Sequence, residues 1–238
     1  MAIEFGLLVL GYLLGSIPIG YLVGLSAGID IREHGSGSTG ATNVWRCVGR
    51  SAGITVFCGD LLKGAGSILI AQYVLTQYQA PTPWAEWFIV GAGLMALVGH
   101  SRSCWIGFKG GKSVAAGFGI LLALNWIVGL GAALVWGLAL ALWKTISLSS
   151  ILAAIAAPVL MIVTGSPLAY ILFATVSGAF VIWRHSSNIE RLFKGTEPSI
   201  KENKESLSEA KYHSQPKQKS KPPSSTTKQP SPESGSVS

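Results

Sequence analysis

Seven blocks of mostly apolar residues recur along the chain, at 3–25, 64–80, 85–99, 114–125, 127–143, 148–164 and 167–183. A helix that is apolar all round, without a polar face, belongs in lipid, so the blocks predict an all-α polytopic membrane protein of about seven transmembrane helices. Turn signals divide them: Pro81-Thr82-Pro83, Asn125-Trp126 and Thr164-Gly165-Ser166-Pro167. A crossing takes about 20 residues, and 114–125 is too short to traverse a core of about 30 Å unaided. The polar stretch before it must therefore enter the membrane region, where irregular backbone survives only if buried in protein or facing a wet cavity. The first block starts beside Glu4 with no basic segment ahead of it, which predicts a retained helix instead of a cleaved signal peptide.

Charge sorts these blocks. Arg32, Arg46 and Arg50 follow the first; Lys63 precedes the second; Arg102, Lys109 and Lys112 follow the third; Lys144 follows the fifth; and Arg184, Arg191 and Lys194 follow the seventh. With seven crossings every one of these lies on one side, while Glu4 and Glu86 lie on the other; five crossings is the competing count. Positive residues mark the cytoplasm, so the N-terminus is expected outside, the C-terminus inside, and the protein in the plasma (inner) membrane.

The composition agrees, with 49% hydrophobic residues, 12% charged and a mean hydropathy of +0.46. Residues 198–238 differ: seven Lys, four Glu and many Ser, Pro and Gln leave too little apolar surface to offset ordering entropy. The expected organisation is thus a membrane domain, 1–197, and a disordered polar cytoplasmic tail, 198–238. Outside the tail the balance is 11 basic against 7 acidic residues, with no basic face interleaved with aromatics, so nucleic acid is not an expected partner. Cys47, Cys58 and Cys104 show neither paired spacing nor a neighbouring His cluster, and read as reduced packing residues with no metal site. No cofactor and no obligatory protein partner is called for.

Three polar clusters fall at the basic face: 28–46, 99–113 and 184–197. The first contains His34 to Arg46, HGSGSTGATNVWR. Its glycines let backbone N–H groups turn toward an anion, its hydroxyls add donors, and a helix opening near Thr42 aims its positive end there. Gly35, Ser36, Gly37, Ser38, Thr39, Gly40 and Asn43 are the candidate phosphate loop, and Arg46 adds a bidentate contact. A flexible interhelical loop is the plainer alternative. In the second cluster, FKGGKS resembles the end of a nucleotide-binding loop, but position 106 is Ile where a glycine is required. What remains is a compact anion site: Gly110 and Gly111 turning Lys112, with Lys109 as a positive anchor.

The third cluster places His185 and Asn188 on one helical face, shared by Arg191, if the seventh helix continues that far. Glu197 reads as a structural carboxylate tying down the last segment. Asp60 and Lys63, one turn apart near a block's end, read as an intrahelical ion pair. Ser147, Ser149 and Ser150 open the sixth block as caps, and Ser147 is carried as the one facing substrate. The chain has no Gly-x-Ser-x-Gly elbow, no carboxylate cluster for a divalent metal, and no His followed five residues later by Asp; His185 with Glu190 is a near miss. Chemistry without an evident nucleophile rests on positioning and anion stabilisation of activated, charged substrates. A transporter for an organic phosphate is the rival reading, although the outer loops are nearly bare of polar groups.

GSIPIGYLVG, GIDIREHGSGSTGATNVWR, DLLKG, GH…GFKGGKSVA and RHSSNIERLFKGTE, in this order over residues 11–197, resemble the bacterial acyl-phosphate:glycerol-3-phosphate acyltransferases, the PlsY family. The resemblance implies transfer of a fatty acyl group from acyl phosphate to the 1-hydroxyl of sn-glycerol 3-phosphate. The products are lysophosphatidic acid and phosphate, in the first acylation of phospholipid synthesis. It assigns Ser36 and Arg46 as essential, Gly110, Gly111 and Lys112 to glycerol phosphate, and His185, Asn188 and Glu197 to the third motif. This chain departs from the commoner pattern at Ser38 (usually Asn), Ser103 (usually Pro) and Ser113 (usually Gly).

Overall fold

The computed structural model describes residues 2–78 and 84–200. The turn at Pro81-Thr82-Pro83 and the tail beyond residue 200 lie outside the described residues. Within them the chain forms ten α-helices: α1 (Ala2–Ser16), α2 (Ile19–Ser26), α3 (Ala41–Cys47), α4 (Arg50–Tyr78), α5 (Ala85–Ser101), α6 (Val114–Leu124), α7 (Trp126–Trp143), α8 (Ile146–Val163), α9 (Leu168–Arg184) and α10 (Ser186–Phe193). Every apolar block is helical over most of its described length. By length and composition α1 with α2, α4, α7 and α8 suffice to cross a bilayer, and α9 with α10 adds a fifth if that pair, bent by 60°, counts as one span. Helices α5 and α6 are apolar but shorter.

Three boundaries differ from the sequence reading. The first block is broken between α1 and α2, because Pro18 cannot donate to the helical ladder. The carbonyls freed there are taken up from afar: the Ser103 hydroxyl donates to Ser16 O at 2.5 Å and Lys63 Nζ to Ile17 O at 3.0 Å. The second block was expected to start after Lys63, yet α4 begins at Arg50 and carries Asp60 and Lys63 in its interior. Their pairing at 2.9 Å is what lets two charged groups sit inside an apolar helix. Finally, the seventh helix does not run on through His185; it turns there into α10, so His185 and Asn188 do not share one continuous helix.

Close backbone approach holds the bundle. A Cβ on Gly11 would lie 2.3 Å from Ala92 O and one on Gly15 2.1 Å from Ala96 O, so α1 packs on α5 through paired small residues. A Cβ on Gly64 would lie equally close to Ala116 O, 2.2 Å, so close approach there joins α4 to α6. Large apolar side chains such as Leu62, Leu142 and Val163 point outward, as they must when the solvent is lipid. Two turn signals act as expected. Asn125 caps α7, its side chain accepting from Ile127 N at 3.1 Å and Val128 N at 3.4 Å, and Gly165 takes a positive φ of 63° before α9. Between α5 and α6 the polar stretch 102–113 folds back onto the bundle, with Ser103, Ile106, Gly111 and Ser113 buried at its two ends and middle while Trp105 and Phe108 stay exposed.

Candidate active site

All three polar clusters converge on one cavity of about 870 Å³, its open mouth included. Ser36, Ser38, Gly40, Asn43 and Arg46 line it from the first cluster, Lys112 and Ser113 from the second, and His185, Asn188, Arg191 and Glu197 from the third. Asp60 and His100 complete the wall, and Ser147 joins it from the start of α8. A Cβ on Gly40 would lie 4.0 Å from the Gly111 Cα, which measures how closely the first two loops meet.

Within the first loop the work is divided. Asn43, buried at the start of α3, accepts from Ser36 N at 2.9 Å and donates to Ser38 O at 2.9 Å, His34 O at 3.0 Å and Ile31 O at 3.3 Å. Its amide is committed to the backbone, so Asn43 shapes the loop, and Ser36 and Ser38 are left to face the cavity. Gly35 and Gly37 have φ of +59° and +68°, the left-handed region, and a Cβ on Gly35 would sit 2.3 Å from Asn43 Oδ1. Thr39 is buried and does not line the cavity; like Gly35 and Gly37 it belongs to the scaffold. Gly40 caps α3, which opens at Ala41, close to the expected start.

The second loop is held from beneath. Gly111 N donates to His100 O at 3.1 Å, while Gly111 O accepts from Arg184 Nη2 at 3.1 Å and Ser101 Oγ at 3.2 Å. A Cβ on Gly110 would lie 2.1 Å from His100 O, so Gly110 and Gly111 form the floor of the turn. Ser113 has φ +63°, the left-handed region that favours glycine; its hydroxyl compensates by donating to Leu97 O at 2.9 Å beside Ser101 Oγ at 2.8 Å. Lys112 then reaches across to Asn188 Oδ1.

From Asn188 the network runs to Glu197. Asn188 Nδ2 donates to Glu197 Oε1 at 2.6 Å, and Arg191 Nε to Oε2 at 2.7 Å. Ile200 N donates to Lys144 O at 2.9 Å, a further tie on the segment that carries Glu197. Burial pushes the Glu197 carboxyl up, but Asn188, Ser147 and Arg191 outweigh it and hold the group below its ordinary value. His185 Nδ1 lies 2.8 Å from Val181 O, a contact only a protonated Nδ1 can satisfy, which leaves Nε2 with a lone pair in the neutral ring.

The cavity is short of negative charge. Burial brings Lys112 down to about 8; Glu197 opposes this, while Arg191, Arg184 and Arg46 push further in the same direction. Arg46 is likewise lowered, by burial first and by Arg191, against Glu197. Cations crowded until they repel one another are relieved by a bound anion, and a phosphate supplies it.

On its inner side the cavity shares Ser113, Val114, Phe118 and Ser150 with a second space of about 420 Å³, lined by Leu97, Leu121, Ala132, Ala153, Ala157, Ala174, Gly178 and Val181. Phe118 and Trp136 meet edge to face at 6.5 Å, and Trp136 Nε1 donates to Ser150 Oγ at 3.2 Å, fixing the wall at the junction. A polar chamber for anions thus opens into an apolar groove. This groove is not visible in the sequence, where Arg184 figures as a basic residue of one face and His100 within the GH…GFKGGKSVA motif.

Fold and cavity define an integral membrane acyltransferase. Residues 5–195 match the glycerol-3-phosphate acyltransferase family, and the chain belongs to it. It is similar to the glycerol-3-phosphate acyltransferase of Acaryochloris marina, 49% identical over 208 residues that cover 83% of this chain and 92% of that one. With the enzyme of that name from Synechococcus sp. (strain JA-3-3Ab) it shares 52% over 191 residues, 80% and 90% of the two chains. The crystal structure of PlsY (YgiH), an integral membrane glycerol 3-phosphate acyltransferase, in its glycerol 3-phosphate form, superposes with a TM-score of 0.75 at 38% identity, covering 83% of this chain and 95% of that one. The lysophosphatidic acid form of that protein gives 0.72, again at 38% identity.

Proposed function

We propose that this chain transfers a fatty acyl group from acyl phosphate to the 1-hydroxyl of sn-glycerol 3-phosphate, releasing lysophosphatidic acid and inorganic phosphate. The supporting observation is the single cavity in which Ser36, Arg46, Lys112 and His185 meet and which continues into the apolar groove. Residues 35–43, through Ser36 and Ser38, grip the phosphate of the acyl donor, and its chain lies along the groove between α6 and α9. Lys112, Arg46 and His185 hold glycerol phosphate, Asn188 orients Lys112, and Ser147 borders the same pocket.

Acyl phosphate is a mixed anhydride, so positioning and charge neutralisation carry most of the reaction. The glycerol hydroxyl oxygen attacks the acyl carbon, the bond from that carbon to the phosphate oxygen breaks, and the departing phosphate takes the hydroxyl proton. No acyl-enzyme forms. The cavity opens at the cytoplasmic face of the plasma membrane, with the N-terminus outside, as the sorting of basic residues supports.

Purified protein given acyl phosphate and radiolabelled glycerol phosphate is expected to release lysophosphatidate, with Ser36→Ala and Arg46→Ala each nearly inactive. Full activity in both variants overturns the site, and acylated protein accumulating without glycerol phosphate overturns direct attack. Membrane-impermeant labelling of Cys47 and Cys104 in right-side-out and inverted vesicles tests sidedness; both are free thiols of intermediate exposure and should react only in inverted ones.

A further inference from the structure

Beneath the Lys112 turn lies a buried charged cluster that the reaction as written does not use. Asp60 on α4 is 2% exposed and His100 at the end of α5 is 5% exposed. Asp60 Oδ1 faces His100 Nδ1 at 3.4 Å, a close electrostatic contact without hydrogen-bond alignment, and pairs with Lys63 Nζ at 2.9 Å. With Nδ1 turned to Asp60, the opposite edge of the ring meets the turn: a Cβ on Gly111 would lie 2.1 Å from His100 Nε2. The turn therefore rests on His100 twice, Gly110 and Gly111 N on its carbonyl and Gly111 Cα on its imidazole. The next residue is Lys112.

We propose that Asp60 and His100 are positioning residues for glycerol phosphate: the carboxylate fixes the imidazole, and the imidazole sets the height and direction of the turn that delivers Lys112 to Asn188. This rests on the reading that Lys112 meets glycerol phosphate. A charged group kept inside a membrane bundle needs a partner and a use. Helix packing alone would be served by apolar residues, since replacing a buried ion pair by matched apolar side chains often costs nothing. Lys63 has a distinct part. Asp60 also borders the cavity, and an unscreened carboxylate beside two phosphates repels them; Lys63 on the same oxygen cancels that charge while capping Ile17 O.

The test measures KM for each substrate separately, with full-length protein in lipid nanodiscs. Asp60→Asn and His100→Ala are each expected to raise KM for glycerol phosphate at least tenfold while KM for acyl phosphate changes less than twofold. His100→Gln, which keeps a planar donor toward Asp60, restores most of the loss. Because the carboxylate acts through the ring, the double variant Asp60→Asn/His100→Ala is no worse than His100→Ala. Equal rises in both KM values, or single effects that multiply in the double variant, overturn the inference and leave a cluster that only holds the fold. Where Asp60→Asn does not fold, Asp60→Asn/Lys63→Met removes both charges together and carries the same expectation. Lys112→Ala separates the two readings: if it leaves KM for glycerol phosphate unchanged the assignment of Lys112 fails, whereas a raised value there with normal His100 variants overturns the positioning role alone.

Discussion

Lys112 sets an alkaline limit on glycerol phosphate capture. Its ammonium is desolvated and surrounded by Arg46, Arg184 and Arg191, so in the free enzyme it loses its proton near pH 8. With that value the protonated fraction falls from about 91% at pH 7 to about 9% at pH 9, a loss of about tenfold. The lysine is charged below its folded value and neutral above it, and only the charged form neutralises a phosphate. kcat/KM for glycerol phosphate, which reports the free enzyme, should therefore fall with a midpoint near pH 8. A bound dianion favours the ammonium, so kcat at saturating substrate should hold to higher pH. Initial rates with labelled glycerol phosphate between pH 6.5 and 9.5 measure both, with acyl phosphate held well below its own KM for kcat/KM and saturating for kcat. Lys112→Arg keeps its charge throughout this range and should shift the limb out of it, at some cost in fit because a planar guanidinium replaces a compact ammonium. A limb that remains at pH 8 in Lys112→Arg refutes the assignment to this residue.

Other expectations follow from the same geometry. Asn43→Ala removes the acceptor of Ser36 N and the only side-chain donor to Ser38 O, while His34 O and Ile31 O keep a backbone donor; at about 1 kcal/mol for each lost bond, the loop should become sensitive to limited proteolysis and activity should fall at least a hundredfold. Glu197 has a folded value held below the ordinary 4.5, so its contribution to stability is complete above that pH and lost as pH falls through the folded value. Glu197→Gln should flatten this acid limb in thermal unfolding, and an unchanged limb counts against the network. Ala157→Phe fills the apolar groove and should shift preference toward shorter acyl phosphates with KM for glycerol phosphate unaltered, measured by competition between donors of different length.

Where donors and lipid-facing helices lie could be read from the chain itself. Hydrophobic blocks mark segments that only lipid or protein can surround, and glycine with hydroxyl-bearing residues marks backbone free to face an anion; both are local properties of composition. Hence the helical class, the three clusters, the turn at Asn125 and the membership of Ser36, Arg46, Lys112, His185 and Asn188 in one cavity were legible in the order of residues alone. What each polar group touches was not. Asn43 looks like a ligand donor in sequence, yet its amide is consumed by carbonyls of its own loop. Asp60 and Lys63 look like a pair at a helix end, yet they lie inside α4, and Asp60 faces a histidine forty residues away. A buried charge must find a partner, but periodicity is blind to which helix supplies it. That choice falls to packing: the small residues that let α1 meet α5 and α4 meet α6 bring distant polar groups within hydrogen-bonding reach, and the 60° turn at His185 aims the last motif back into the same space.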